Sequence, residues 1–204
     1  MSSTGSGRER ESSTVHLTRI YTRTGDDGTT ALGDMTRTAK TGLRVSAYGD
    51  VDEANSAIGV AIALGELGEH VTALLLRVQN DLFDVGADLC TPITPNPKWT
   101  TLRLDDSYVQ RLENACDTYN EKLAKLDSFV LPGGTPGAAL LHVARTVTRR
   151  AERSTWALLQ AEPDATNAVT ATYLNRLSDL LFILSRHANS AAGDVKWRPR
   201  GTSN

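Results

Sequence analysis

Apolar residues recur at helical spacing in five successive stretches of this 204-residue chain, a periodicity that admits little besides a bundle of helices. The clearest stretch runs from about His70 to Leu89, where Val71, Leu74, Leu75, Val78, Leu82 and Val85 share one face. An earlier one starts near Asp50. Asp50 and Glu53 stand in the spacing of a capping box, and Val51, Ala54, Ala57, Ile58, Ala61 and Ile62 follow them. Thr91-Pro92 through Pro97 breaks the second helix. The third begins at Asp105 or Asp106 and places Val109, Leu112, Cys116, Tyr119 and Leu123 on a stripe. Thr135 caps the fourth, with Pro136 at the first helical position, where a missing N–H costs nothing, and this helix reaches about Gln160. The fifth covers roughly Asp164 to Ala192. With few strand signals, the expected fold is all-α, a five-helix bundle with up-and-down packing of the ferritin-like kind.

Residues 1–18 are low in complexity and polar and are expected to form a disordered tail. The folded domain spans 19–192, and 193–204 is read as a flexible tail. A formal net charge of -2 argues against a general nucleic-acid binder, so any anion site must come from locally clustered arginines. Cys90 and Cys116 lack metal-ligand spacing. The start of the chain shows no apolar signal stretch, and runs such as Leu180 to Leu184 are far too short for a membrane helix. A cytoplasmic setting without membrane attachment is expected.

Four segments carry candidate chemistry. Arg145, Arg149 and Arg153 fall at i, i+4 and i+8, a column of like charges on one helix face, with Glu152 placed to relieve Arg149. A solvated basic face explains this column as well as a polyphosphate clamp does, although guanidinium forks match phosphate oxygens. Thr22-Arg23-Thr24-Gly25-Asp26-Asp27-Gly28-Thr29-Thr30 reads as a loop whose glycines and hydroxyls suit an anion nest or an ordinary turn. It lacks the Gly-Lys-Ser/Thr ending of a Walker A loop. In Leu174-Asn175-Arg176-Leu177-Ser178-Asp179, a mid-helix Asn175 invites a reason, the plainest being a bond to a neighbouring helix. The acids of Tyr48-Gly49-Asp50-Val51-Asp52-Glu53 are explained locally by capping.

Together, and in this order, these segments and Phe129-Val130-Leu131-Pro132-Gly133-Gly134 resemble the PduO-type cobalamin adenosyltransferases, over roughly residues 19 to 190. The resemblance implies transfer of the 5′-deoxyadenosyl group of ATP to the cobalt of cob(I)alamin, with release of triphosphate. It also implies Mg²⁺ as cofactor and a homotrimer of five-helix subunits with active sites between them. Thr22, Arg23, Thr24 and Gly25, with Thr29 or Thr30, would wrap the triphosphate, and Lys40 would reach it. Arg149, Arg150, Glu152, Arg153 and Asn175 would line the ATP site. Asp52 would pair with Arg145 to shape the corrin side, and Phe129 would occupy the lower face of cobalt, easing reduction of cob(II)alamin. A flavin-type reductase and an adenosylcobalamin-dependent mutase are implied as transient partners. One departure stands out: many relatives carry Lys where this chain has Asp27, leaving that side chain to face solvent or support a metal.

Other classes fit the residues less well. A di-metal ferritin-like protein needs Glu-x-x-His pairs, which are missing, and His16, His70, His142 and His187 are scattered. A carrier supplying its own axial His usually shows Asp-x-His-x-x-Gly, also missing here. The functional alternative is a carrier or sensor that binds ATP or adenosylcobalamin and delivers the cofactor to a mutase without turnover.

Overall fold

A computed structural model describes residues 21–201, so the expected tail at 1–18 lies outside the described residues. Two short strands, β1 (Thr29–Ala31) and β2 (Arg37–Ala39), precede α1 (Leu43–Leu64), α2 (Glu69–Cys90), α3 (Asp106–Asn120), α4 (Pro136–Ala161) and α5 (Val169–Ala188). Each helix runs opposite to the one before it, as side-chain pairings show. Asn55 and Gln79 donate to each other's backbone across α1 and α2, at 3.1 and 3.2 Å. Tyr108 and Arg111 of α3 reach Asp84 and Asp81 of α2. Asp50 of α1 faces Ser154 of α4, and Glu152 of α4 faces Asn175 of α5. This is the up-and-down order expected from the sequence.

Ile58, Leu75, Leu82, Leu141, Leu158, Leu177 and Leu181 are sealed in the centre. Each contributes about 1.5–3 kcal/mol by leaving water. At one end of the bundle the start of α4 approaches the end of α1 closely: a Cβ on Gly137 would lie 2.5 Å from the carbonyl oxygen of Gly65 and 2.7 Å from the Leu67 side chain. This close approach, with the Asp50–Ser154 bond and the Arg150 ion pairs, holds α4 in register with α1.

Three features differ from the sequence expectation. First, α1 begins at Leu43, well before Asp50. Arg44 extends its buried face because Nη1 donates to the Leu89 carbonyl (2.6 Å) while Nη2 donates to Glu162 (2.6 Å), Ala165 and Thr166. Asp50 is therefore no cap; it accepts a 2.5 Å bond from the Ser154 hydroxyl and pairs with Arg150. Second, the chain turns at Pro163–Ala165 and α5 opens only at Val169, whose N–H is capped by the Asn167 side chain at 3.1 Å. It closes at Ala188 because Asn189 folds back, donating to the Gly193 carbonyl and accepting from the Thr135 N–H. Third, the N-terminal loop continues into an antiparallel hairpin pairing Thr29 with Ala39 and Ala31 with Arg37. The Asp34 carboxylate, accepting from the Thr36 N–H at 2.9 Å, closes its turn.

Beyond α5 the chain returns to the segment before α4. The N–H of Leu131 donates to Val195 at 2.8 Å, that of Trp197 donates to Phe129 at 2.7 Å, and the Ser128 hydroxyl donates to Trp197. Lys196 and Asp127 form an ion pair at 2.6 Å. The stretch read as a tail from 193 is thus hydrogen-bonded through Trp197. Among the described residues no helix is long and apolar enough to cross a membrane.

Candidate active site

Phe129 lies between α3 and α4 in a loop that the returning C-terminal segment holds by backbone bonds. Its ring is 78% exposed, an unusual state for a phenylalanine held so firmly. With Trp197, Phe182, His142 and Arg145 it lines a concavity of about 860 Å³. Gly134 permits the tight return from this loop into α4: its φ is +105°, and any Cβ there would strike the Asn189 side chain.

His142 fixes the polar character of the concavity's inner wall. The Ser185 hydroxyl donates to the Phe182 carbonyl at 2.7 Å, so it receives the Nε2–H of His142 at 3.2 Å. Burial, and then the Arg145 charge, hold the imidazole pKa below its ordinary value, and the ring is neutral at pH 7. Burial also lowers the Arg145 pKa, with Arg149 adding to the effect, and the Arg145 Nε has no hydrogen-bond partner among the described residues. A charged, half-buried guanidinium without a local anion is costly, so this group calls for a partner from outside the chain.

Farther along α4, the arginines divide. Arg149 and Arg153 are exposed; Arg149 lies 3.8 Å from Glu152, and Arg153 donates to the Arg149 carbonyl at 3.1 Å. Glu152 in turn accepts from Asn175 at 3.0 Å, the helix-to-helix bond that the sequence suggested for this residue. Arg150 points the other way, its guanidinium engaged by Glu53 and Asp50 of α1. Asp52 is exposed on α1 and forms no ion pair with Arg145 among the described residues, because the antiparallel register sets Asp50 and Glu53 opposite Arg150 and Ser154.

The Thr22–Thr30 loop sits at the opposite end of the bundle from Phe129, ahead of α1. The Thr22 and Thr24 hydroxyls bond each other at 2.9 Å. Lys40 lies over Gly25, its Nζ 3.1 Å from where a Cβ on that glycine would stand. Asp27 is exposed to solvent and its carboxylate is also engaged: Oδ1 accepts from the N–H and hydroxyl of Thr29 at 2.9 and 2.7 Å. These bonds, joined by the Arg37 charge, lower its pKa. Arg37 of β2 donates to the Thr24 carbonyl at 2.6 Å and to the Thr29 hydroxyl at 3.1 Å. Among the described residues no three His, Cys, Asp or Glu side chains are grouped so as to hold a metal ion by themselves.

The family model for cobalamin adenosyltransferase matches residues 20–188. The chain belongs to this family. The corrinoid adenosyltransferase of Mycobacterium tuberculosis is 64% identical over 187 residues, covering 92% of this chain and 96% of that protein. The corrinoid adenosyltransferase of Bacillus subtilis is 44% identical over 184 residues, covering 88% and 92%. Among solved structures, a Phe→Ala variant of the PduO-type ATP:corrinoid adenosyltransferase from Lactobacillus reuteri, complexed with cobalamin and ATP, aligns at a TM-score of 0.80 and 35% identity, covering 88% of this chain and 99% of that one.

Set against this cobalamin adenosyltransferase fold, the sequence-derived candidates fall mainly in three groups on one chain. Phe129 and Arg145 share the concavity, Arg149, Glu152 and Arg153 form a band one to two turns farther along α4 with Asn175 of α5 beside it, and the Thr22–Thr30 loop with Lys40 lies at the opposite end of the bundle from Phe129. Sequence reasoning missed Arg37 and His142. Arg37 gives no sequence signal, being one more charge in a polar stretch. His142 stands one turn before Arg145, a hint that the helical spacing did contain.

Proposed function

We propose that this chain transfers the 5′-deoxyadenosyl group of ATP to the cobalt of cob(I)alamin, giving adenosylcobalamin and triphosphate. The observation that carries this reading is the shared concavity of Phe129 and Arg145, opening beside a helix face that presents Arg149 and Arg153. Its room, apolar walls and few polar groups suit a corrin ring, and the exposed arginines suit a polyphosphate. The relatives of known name act on corrinoids, and the aligned Lactobacillus protein is complexed with cobalamin and ATP.

Cob(I)alamin is itself the nucleophile, so the protein's task is positioning and charge stabilisation. Arg149 and Arg153 receive the charge that builds on triphosphate as the C5′–O bond breaks and the cobalt–carbon bond forms. Asn175 holds Glu152 so that Arg149 keeps its place, and Lys40 with Thr22, Arg23, Thr24, Gly25, Thr29 and Thr30 encloses the rest of the triphosphate. Arg150, already neutralised by Glu53, acts by fixing α4 against α1. Phe129 excludes water and the nucleotide base from the lower face of cobalt, and an unligated cob(II)alamin is easier to reduce.

Mg²⁺ would accompany the ATP phosphates and offset their charge, and Glu152, beside Arg149 on α4, is the carboxylate that would share in holding it. A homotrimer with sites between subunits is supported by Arg145, which forms no ion pair among the described residues, and by Asp52, exposed on α1. It is supported too by apolar side chains left in solvent on α1, α2 and α4: Val60, Phe83, Val143 and Trp156. A cytoplasmic setting, with a flavin-type reductase and an adenosylcobalamin-dependent mutase as transient partners, completes the reading.

The deciding experiment is an anaerobic assay with chemically reduced cob(I)alamin, ATP and Mg²⁺. A light-sensitive corrinoid and stoichiometric triphosphate are expected. Tight ATP binding without turnover would assign the chain to the carrier or sensor class.

A further inference from the structure

We infer that Arg37 is the positioning residue of the triphosphate loop, holding Thr24 and Thr29 in place and cancelling the charge of Asp27. The inference rests on the adenosyltransferase reading for the identity of the anion. Its own basis is the hydrogen bonding around one guanidinium.

Arg37 stands on β2, across the hairpin from the loop. Its Nη2 donates to the Thr24 carbonyl at 2.6 Å, its Nε donates to the Thr29 hydroxyl at 3.1 Å, and Nη2 also lies 3.5 Å from the Asp27 carboxylate. One planar fork thus ties three residues of a loop in which Arg23 holds a left-handed φ of 61°. The Thr29 hydroxyl sends its proton to Asp27 and receives Arg37, so its hydrogen bonds are spent on holding the loop. Asp27 is ionised, its pKa lowered chiefly by the Thr29 bonds, and places a negative charge in a loop assigned to an anion. The Arg37 charge offsets it. A lysine lacks the geometry to replace Arg37, because a point charge on a flexible stem does not serve a carbonyl, a hydroxyl and a carboxylate in one plane.

Positioning through the loop affects ATP capture and leaves the cobalt chemistry alone. Arg37→Ala is expected to raise KM for ATP about tenfold or more while kcat changes less than about threefold. KM for cob(I)alamin should stay put. Inorganic tripolyphosphate, used as the probe in calorimetry, should lose affinity in parallel, and Arg37→Lys should recover less than half of the loss. In the Asp27→Asn background, removing Arg37 should cost distinctly less, since no stranded carboxylate remains. The inference is overturned if Arg37→Ala keeps both KM for ATP and tripolyphosphate affinity within about twofold. It is equally overturned if KM rises for both substrates while the thermal midpoint falls, the mark of general unfolding, or if Asp27→Asn leaves the cost of losing Arg37 unchanged. Should the wild-type protein bind tripolyphosphate without turnover, the reaction assignment fails while the calorimetric comparison still judges Arg37.

Discussion

The backbone N–H of Trp197 donates to the carbonyl of Phe129 at 2.7 Å, and the two rings meet edge to face with centroids 6.2 Å apart. The segment that returns beyond α5 thereby aims the side chain proposed to sit beneath cobalt. Trp197→Ala keeps the backbone bond and removes the ring. It should slow turnover with cob(II)alamin plus reductant several-fold more than turnover with pre-reduced cob(I)alamin, because only the former depends on an unligated cobalt. Equal slowing in both anaerobic assays would count against this steering role.

Phe129→Ala separates function from stability. The ring is mostly in solvent, so the urea midpoint should shift by no more than about 0.5 kcal/mol in stability. Activity from cob(II)alamin should nonetheless collapse. A large loss of stability would mean that the ring serves the fold.

Arg149→Ala and Arg150→Ala should behave differently despite being neighbours. Arg149 is free to meet triphosphate, and losing it should lower kcat/KM by about tenfold to a hundredfold. Arg150 is engaged by Glu53 and Asp50, and its loss should cost about 1 kcal/mol of stability or less, with a smaller kinetic effect. Steady-state kinetics and denaturant titration of both variants test the division.

Arg44→Met should destabilise the protein by about 3 kcal/mol or more, since it strands the buried Leu89 carbonyl together with the Ala165 and Thr166 acceptors. Chemical unfolding measures it. A neutral outcome would show that packing alone holds the start of α1.

His142 sets a pH response. Its folded pKa lies below the ordinary 6.5, so its contribution is fully present above that value. As pH falls below 6.5 the unfolded chain takes the proton first, and stability declines until the folded pKa is passed. In His142→Gln this part of the slope between pH 6.5 and acid should vanish from unfolding curves, which would otherwise assign the slope to other groups.

The helices were legible because Leu, Val and Ala at helical spacing announce a buried face wherever they occur, and Thr135-Pro136 and Asp105 supply real starts. The beginning of α1 was hidden because its buried face includes Arg44, whose partner Glu162 lies far along the chain. Asp50 mimicked a cap because a carboxylate before an apolar run looks the same whether it meets its own backbone or Ser154 on another helix. The hairpin escaped notice because three-residue strands of Thr and Ala carry no alternation. For the site, Arg149, Asn175 and Phe129 were found through family resemblance, whereas Arg37 and His142 act through bonds that only the folded chain brings together.

Helix α4 also serves as a ruler. Arg145 faces the concavity beside Phe129, and Arg149 and Arg153 follow about 6 and 12 Å farther along the axis. On the proposed reading, the gap between the corrin pocket and the arginines assigned to triphosphate is metered by the hydrogen-bonded backbone of α4. A single residue inserted between Arg145 and Arg149 would turn Arg149 and Arg153 about 100° from the face that Arg145 occupies. It would turn the buried Ala151, Thr155 and Leu158 by the same angle, so the packed core itself holds this spacing fixed.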